Sequence, residues 1–171
     1  MGKAKILKDG IDLDDEYLHF VVKSSFILAA SNYAKIKNSR VSPLEVDKIC
    51  RLLKDSDFFR YGPTSIDDTR KVVSDCAKSV RELFEKEGFA LFAVNLVLKR
   101  LAPFFDDKYA ELLDAPLNKK ELEKIGADQI GVAKMSDVKF SNYQKLMSLA
   151  HGYASKFGKT LYRWELEAYN E

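Results

Sequence analysis

Apolar residues that recur every three to four positions are the feature that most restricts how this chain can fold. Val46, Ile49, Cys50 and Leu53 follow the spacing i, i+3, i+4 and i+7, which places all four on one side of an α-helix. A half-buried β-strand would instead alternate apolar and polar residues. The pattern therefore predicts a helix that buries one side, and similar patterns recur along most of the chain.

Helix-start residues support this interpretation. Ser42, Pro43 and Glu45 form the sequence of a capping box, with proline at the first helical position. Ser65 opens a second helix, for which Gly88 is the expected C-terminal stop. Other helices are predicted over residues 14–37, 89–102, 106–113, 118–126 and 141–158.

The fold class predicted from these patterns is all-α. We expect residues 1–171 to form a single helical domain, an orthogonal or up-down bundle of about six to seven helices, with residues 1–13 as a flexible or extended lead-in. Residues 160–169 are ambiguous, because Leu161, Trp164 and Ala168 suit a helix while Tyr162, Trp164 and Leu166 alternate like a strand. Helix is the favoured interpretation there.

The most apolar window predicts a buried helix and no membrane partner. Phe89–Leu98 is ten residues long and is followed by Lys99 and Arg100, whereas a helix needs about 20 residues to cross a bilayer. No apolar run follows the N-terminal lysines as in a secretory signal. We therefore expect a cytoplasmic protein whose two cysteines, Cys50 and Cys76, are reduced and packed in the core.

Few residues are suited to catalysis or metal binding. The chain has two histidines and two cysteines, and no Ser-His-Asp grouping can be proposed from it. Glu16 and His19 match the Glu-x-x-His spacing of helical di-iron proteins, but such a site needs a second copy. We expect no catalytic residues, no metal ligands and no cofactor.

Gly152 and Gly158 resemble the two glycines of a phosphate-binding loop. Five residues separate them instead of four, and the preceding segment is predicted to be helix rather than strand. Gly158 is better interpreted as a helix C-cap.

Charge is distributed unevenly near the C-terminus. Residues 134–163 contain six basic side chains and a single acid, with aromatic residues between them. Cations together with flat rings suit a phosphate backbone and unstacked bases, although an ordinary solvated helix face gives the same pattern. The candidate contacts for a nucleic acid or another partner are the cations Lys139, Lys145, Lys156, Lys159 and Arg163 and the stacking groups Tyr153 and Tyr162.

Two resemblances bear on function. The helix–turn–helix stretch from Phe26 to Leu53 resembles helical tellurite-resistance-type domains, whose turn is acidic and binds metal. Here that turn is Asn38 to Val41, so no metal role is implied. In size and helicity the chain is similar to small helical subunits of RNA-guided CRISPR complexes, a likeness of architecture without a shared motif.

The sequence thus favours a non-catalytic helical binding or scaffold protein. We expect it to be a small subunit of a larger assembly, with protein partners, that contacts nucleic-acid backbone through its basic and aromatic C-terminal face. One alternative is a protein–protein adaptor without nucleic-acid contact, with an exposed apolar patch that includes Phe58, Phe59 or Trp164. A second alternative is a helical metalloprotein.

Overall fold

The computed structural model describes residues 4–33 and 42–168 of the chain. These residues contain nine α-helices and four short 3-10 helices. These residues contain no β-strand, only an isolated antiparallel bridge between Leu7 and Phe105, and the predicted all-α class is confirmed. The helices are α1 (Asp15–Tyr33), α2 (Pro43–Asp55), α3 (Asp57–Tyr61), α4 (Ile66–Ser79), α5 (Glu87–Leu101), α6 (Asp107–Ala110), α7 (Lys119–Lys124), α8 (Phe140–Ser155) and α9 (Leu161–Ala168).

The helix count exceeds the predicted six to seven because short helices occupy connections. The segment between α2 and α4 is outside the helix ranges predicted from the sequence, but it contains α3. Ser56 allows this, since its hydroxyl accepts a hydrogen bond from the backbone N–H of Phe59 and so caps the new helix. The ambiguous C-terminal stretch is helical over Leu161–Ala168. Residues 34–37, predicted as the end of the first helix, lie outside the described residues.

Helix α5 is the centre of the core. Twelve of its 15 residues are buried, and it packs against α1 on one side and α4 on the other. The predicted buried helix at Phe89–Leu98 is confirmed. Within the described ranges, no helix combines the length and the apolar content that crossing a bilayer requires.

The predicted caps form real hydrogen bonds. The Glu45 carboxylate accepts from the backbone N–H (3.3 Å) and the hydroxyl (2.9 Å) of Ser42. Ser65 Oγ accepts from the backbone N–H of Asp68 at 3.2 Å. The bonds from the Ser42 and Asp68 N–H groups satisfy backbone donors that the start of a helix would otherwise leave unpaired.

Gly88 is not the helix stop that the sequence indicated. Helix α4 ends at Ser79, and Gly88 is the second residue of α5. A Cβ atom at Gly88 would lie 2.0 Å from the backbone oxygen of Met135. Glycine is therefore needed there because another part of the backbone approaches too closely for a side chain.

The described residues of the N-terminal lead-in are attached to the helical core. The backbone N–H of Asp106 donates to the carbonyl of Ile6 at 2.8 Å, and that of Lys8 donates to the carbonyl of Phe104 at 2.9 Å. The Ile6 side chain is fully buried. This extended segment covers the end of α5 and the start of α6.

Candidate functional site

The outer side of α8 is the surface on which the predicted basic residues can act together. In an α-helix each residue turns by about 100°, so residues 4, 7 and 11 positions apart return to nearly the same side. We call this surface the α8 face. Its residues, all exposed, are Ser141, Lys145, Ser148, Gly152, Ser155 and Lys156.

The α8 face carries positive charge that no carboxylate on the same segment balances. Lys145 and Lys156 lie about 16 Å apart along the helix axis. Among the described residues, neither forms an ion pair, and no acid occurs anywhere from Val138 to Trp164. Lys139 is also exposed, but it lies at the N-terminal end of α8 and is not part of the α8 face.

Lys159 and Arg163 have carboxylate partners. Arg163 Nε lies 2.5 Å from Glu111 Oε1, and the Lys159 ammonium group contacts the Glu167 carboxylate. The Glu111 carboxylate also raises the pKa of the Arg163 guanidinium. Because both charges are balanced within the molecule, they contribute less attraction to an approaching phosphate than Lys145 and Lys156.

The two predicted stacking residues are half-buried. The Tyr153 ring packs edge-on against Trp164, with centroids 5.4 Å apart, and against Phe157 at 5.3 Å. Burial raises the pKa of the Tyr162 phenol, and the Arg163 guanidinium lies 6.0 Å from that ring. The most exposed ring in this region is Phe157, which is 57% exposed and was not among the predicted residues.

The inner side of α8 is fixed by a buried polar cluster that the sequence analysis did not identify. Asp114 Oδ2 accepts a hydrogen bond from the Tyr143 hydroxyl at 2.9 Å, and Asp114 Oδ1 lies 2.9 Å from His151 Nε2. Burial, followed by the Asp114 charge, raises the pKa of Tyr143 well above its usual value. Tyr143 is therefore a neutral donor to a carboxylate with no solvent exposure.

Two further residues complete this cluster from other helices. Arg70 Nε, on α4, lies 3.6 Å from Asp114 Oδ2, which is an ion-pair distance. Asn95 Nδ2, on α5, donates to the Tyr143 hydroxyl at 2.9 Å. Arg70 Nη1 also donates to the Ser148 hydroxyl at 3.4 Å, so the cluster reaches the α8 face. Its effect is to hold α4, α5 and α8 in one arrangement.

The Glu16 and His19 side chains do not converge on a metal site. His19 Nε2 instead lies 3.0 Å from Asp47 Oδ1, and Glu16 is exposed. Across residues 4–33 and 42–168, no three histidine, cysteine or carboxylate side chains are placed to share a metal ion.

Both cysteines are buried, as predicted. Cys50 lines a cleft between α1 and α2 together with His19 and Asp47. Burial, with a contribution from Asp47, raises the pKa of Cys50 to about 11. Burial raises the pKa of Cys76 to about 12. Both thiols are protonated at neutral pH, and a protonated thiol is a poor nucleophile.

The segment between Gly152 and Gly158 does not form a phosphate-binding loop. Gly152 lies within α8, whereas such a loop follows a strand. Gly158 has a φ of +67° just beyond the end of the helix, and Lys159 N–H donates back to the carbonyl of Ala154 at 3.3 Å. Gly158 thus has the predicted C-cap role.

Comparison with known proteins provides no relative for this chain. It matches no family model, and no curated protein or solved structure is significantly similar to it. The two resemblances proposed from the sequence gain no support from these comparisons. The turn at Asn38 to Val41, on which one of them depended, lies outside the described residues.

Proposed function

We propose that this protein is a non-catalytic helical binding protein of a larger assembly, and that its α8 face contacts the phosphate backbone of a nucleic acid. The observation that carries the proposal is the exposed pair Lys145 and Lys156, aligned on a helix that contains no acidic residue. Among the described residues, neither of these two lysines forms an intramolecular ion pair. Phosphate contacts by lysine supply most of the affinity in sequence-independent nucleic-acid binding.

The small residues of the α8 face support a backbone contact. Ser141 and Ser148 have short side chains whose hydroxyls would donate hydrogen bonds to phosphate oxygens without holding a nucleic-acid strand away, whereas the Ser155 hydroxyl donates to the Gly152 carbonyl at 2.8 Å. At Gly152 an added Cβ would meet no atom within 4 Å. The glycine therefore has no packing role among the described residues, and it leaves a flat surface on which a nucleic-acid strand can lie.

The buried polar cluster around Asp114 makes the α8 face rigid. The cluster holds the inner side of α8 through Tyr143 and His151. A surface whose helix is already fixed loses little conformational entropy on binding.

The proposal is tested by reversing charge on the α8 face. Binding of a fluorescent 20-nucleotide oligo-dT, the corresponding oligo-U and a duplex is measured by anisotropy between 50 and 200 mM NaCl. In the K145E/K156E variant we expect weaker binding and a slope of log K against log salt reduced by about 1.5, because each lost phosphate contact removes about 0.7–0.9.

A matched control removes the same charge elsewhere. Lys23 and Lys120 are exposed and distant in sequence from α8, so K23E/K120E has an identical net charge. It is expected to retain most of the affinity and slope. The proposal is wrong if the two double variants behave alike, or if the unmodified protein binds none of the probes at 50 mM NaCl.

A further inference from the structure

Three aromatic rings in contact lead from the core to the surface at the C-terminal end of α8. Trp164, on α9, is buried, and its ring meets that of Tyr153 edge-on with centroids 5.4 Å apart. The Tyr153 ring is half-buried and lies 5.3 Å from the Phe157 ring. Phe157 itself is 57% exposed. The outermost ring is thus supported by two others and still presents much of its surface to solvent.

The backbone of Phe157 is held by hydrogen bonds that end α8. Its N–H donates to the carbonyl of Ala154 at 3.0 Å, and the N–H of Gly158 donates to the carbonyl of Ser155, also at 3.0 Å. The positive φ of Gly158 then turns the chain away from the helix. Because the backbone is fixed, only the two side-chain torsions of Phe157 lose freedom when a ligand binds to its ring, and the entropic cost is small.

A cation lies beside this exposed ring. Lys156 directly precedes Phe157, and the Lys156 ammonium group lies 5.9 Å from the centroid of the Tyr153 ring that supports Phe157. Lys159 is also near in sequence, but its charge is balanced by the carboxylate of Glu167. Since Lys156 and Phe157 are adjacent in the chain, a nucleotide whose phosphate binds Lys156 has its base close to the Phe157 ring.

We propose that Phe157 stacks on an unpaired base of a single-stranded nucleic acid whose phosphates bind Lys145 and Lys156. This inference rests on the phosphate contact proposed for the α8 face, and it adds the class of nucleic acid that the face takes. An aromatic ring stacks on any of the bases, because each base has a π-face. In a duplex those faces are covered by neighbouring base pairs, and exposing one costs unstacking energy.

Charge alone would give the opposite preference. A DNA duplex carries one phosphate charge per about 1.7 Å of its axis, and each lysine contact to it releases more counterions than a contact to a single strand. Two lysines without a stacking residue should therefore bind a duplex at least as tightly as a single strand. Tighter binding of the single strand thus reports a contribution from the bases.

The test compares strands that have the same phosphates but differ in their bases. Binding of the full chain to a 20-nucleotide oligo-dT, to an abasic strand of equal length and to a duplex of equal length is measured by anisotropy at 50 mM NaCl. We expect the abasic strand to bind about tenfold more weakly than oligo-dT, because it lacks the stacked base. The duplex should also bind more weakly than oligo-dT.

Variants of Phe157 separate stacking from charge and from apolar contact. Phe157→Leu keeps an apolar side chain without a flat ring, so it should bind oligo-dT about tenfold more weakly and the abasic strand as before. Its salt dependence should not change, because no charge is lost. Phe157→Trp keeps a flat ring and should retain the affinity. Phe20→Leu is the matched control, since Phe20 is an exposed phenylalanine on α1, and it should bind like the unmodified protein.

The outcomes distinguish this inference from the proposed function. Equal affinity for oligo-dT and the abasic strand, a duplex bound as tightly as oligo-dT, or unchanged oligo-dT binding by Phe157→Leu would overturn the role of Phe157 and leave the phosphate contact standing. So would equal losses in Phe157→Leu and Phe20→Leu. A salt dependence that K145E/K156E leaves unchanged, or no binding of any strand, would overturn the phosphate contact and this inference together.

Discussion

His151 Nε2 lies 2.9 Å from Asp114 Oδ1, which joins the inner side of α8 to a buried segment with no helix of its own, residues 113–117. The same carboxylate accepts from Tyr143 and faces Arg70. A buried carboxylate of this kind is tolerated because Arg70 supplies an opposite charge and Tyr143 supplies a hydrogen bond, and removing the carboxylate leaves the Arg70 guanidinium without its buried counter-charge.

Replacing Asp114 should therefore destabilise the fold. We expect Asp114→Asn to lower the free energy of unfolding by about 3 kcal/mol, because the buried Arg70 guanidinium loses its internal counter-charge and keeps only the exposed Asp67 at 3.4 Å. Urea denaturation measures the difference. Asp128→Asn, at an exposed carboxylate, should stay within about 0.5 kcal/mol of the unmodified protein. A loss below 1 kcal/mol for Asp114→Asn would contradict this interpretation.

Glu121 should make stability depend on pH. Its carboxylate accepts from the backbone N–H of Asn118 at 2.6 Å, but burial is the larger influence and raises its pKa above the ordinary 4.5. The folded chain then holds this proton more tightly than the unfolded chain. The contribution of Glu121 to stability therefore falls as the pH rises above about 4.5.

The Glu121→Gln variant isolates this effect. Its free energy of unfolding minus that of the unmodified protein should increase between pH 4 and pH 7, because glutamine does not titrate. Other carboxyl groups, including the buried Glu165, are present in both proteins and largely cancel in the difference. A difference that is constant or decreases with pH would show that burial of Glu121 does not control its protonation.

The cysteines should be unreactive in the folded protein. With pKa values of about 11 and 12, Cys50 and Cys76 have almost no thiolate at pH 8. We expect a disulfide reagent such as DTNB to label neither thiol in the native protein and both after denaturation in urea. Rapid labelling of Cys50 in the native protein would indicate that the cleft shared with His19 activates the thiol.

Local patterns explain why much of the fold could be predicted. The start of α2 depends only on Ser42, Pro43 and Glu45, and its buried stripe depends only on spacing. These are properties of a few adjacent residues, so the sequence contains them in full. The reason for Gly88 could not be found in the same way, because the atom that excludes a side chain belongs to Met135, 47 positions away.

The site was harder to predict for the same reason. The run of basic residues is visible in the sequence, but the carboxylate that pairs with Arg163 belongs to Glu111, which folding brings close from a different segment. The sequence contains one feature that indicates the role of Asp114, which is an acidic residue between apolar neighbours. The structure buries this segment from Leu113 to Leu117. Its partners Arg70 and His151 come from helices that only the tertiary structure places together.

Gly152→Ala should have opposite effects on stability and on nucleic-acid binding. Alanine favours a helix interior over glycine by up to about 1 kcal/mol, and its Cβ meets no atom within 4 Å. We therefore expect the melting temperature to rise by about 2–4 °C. Gly88→Ala is the matched control, in which the same chemical change clashes with the Met135 carbonyl and should cost about 1–3 kcal/mol.

The binding measurement on Gly152→Ala then tests whether a strand lies close to the α8 face. A methyl group between Lys145 and Lys156 changes no charge, so an interaction that depends on charge alone should keep its affinity for oligo-dT. If the nucleic-acid backbone lies flat on the helix, the methyl group holds it away, so the variant binds oligo-dT more weakly although the protein itself is more stable. Unchanged affinity in the stabilised variant would limit the contact to the two lysine side chains and contradict the role proposed for the glycine.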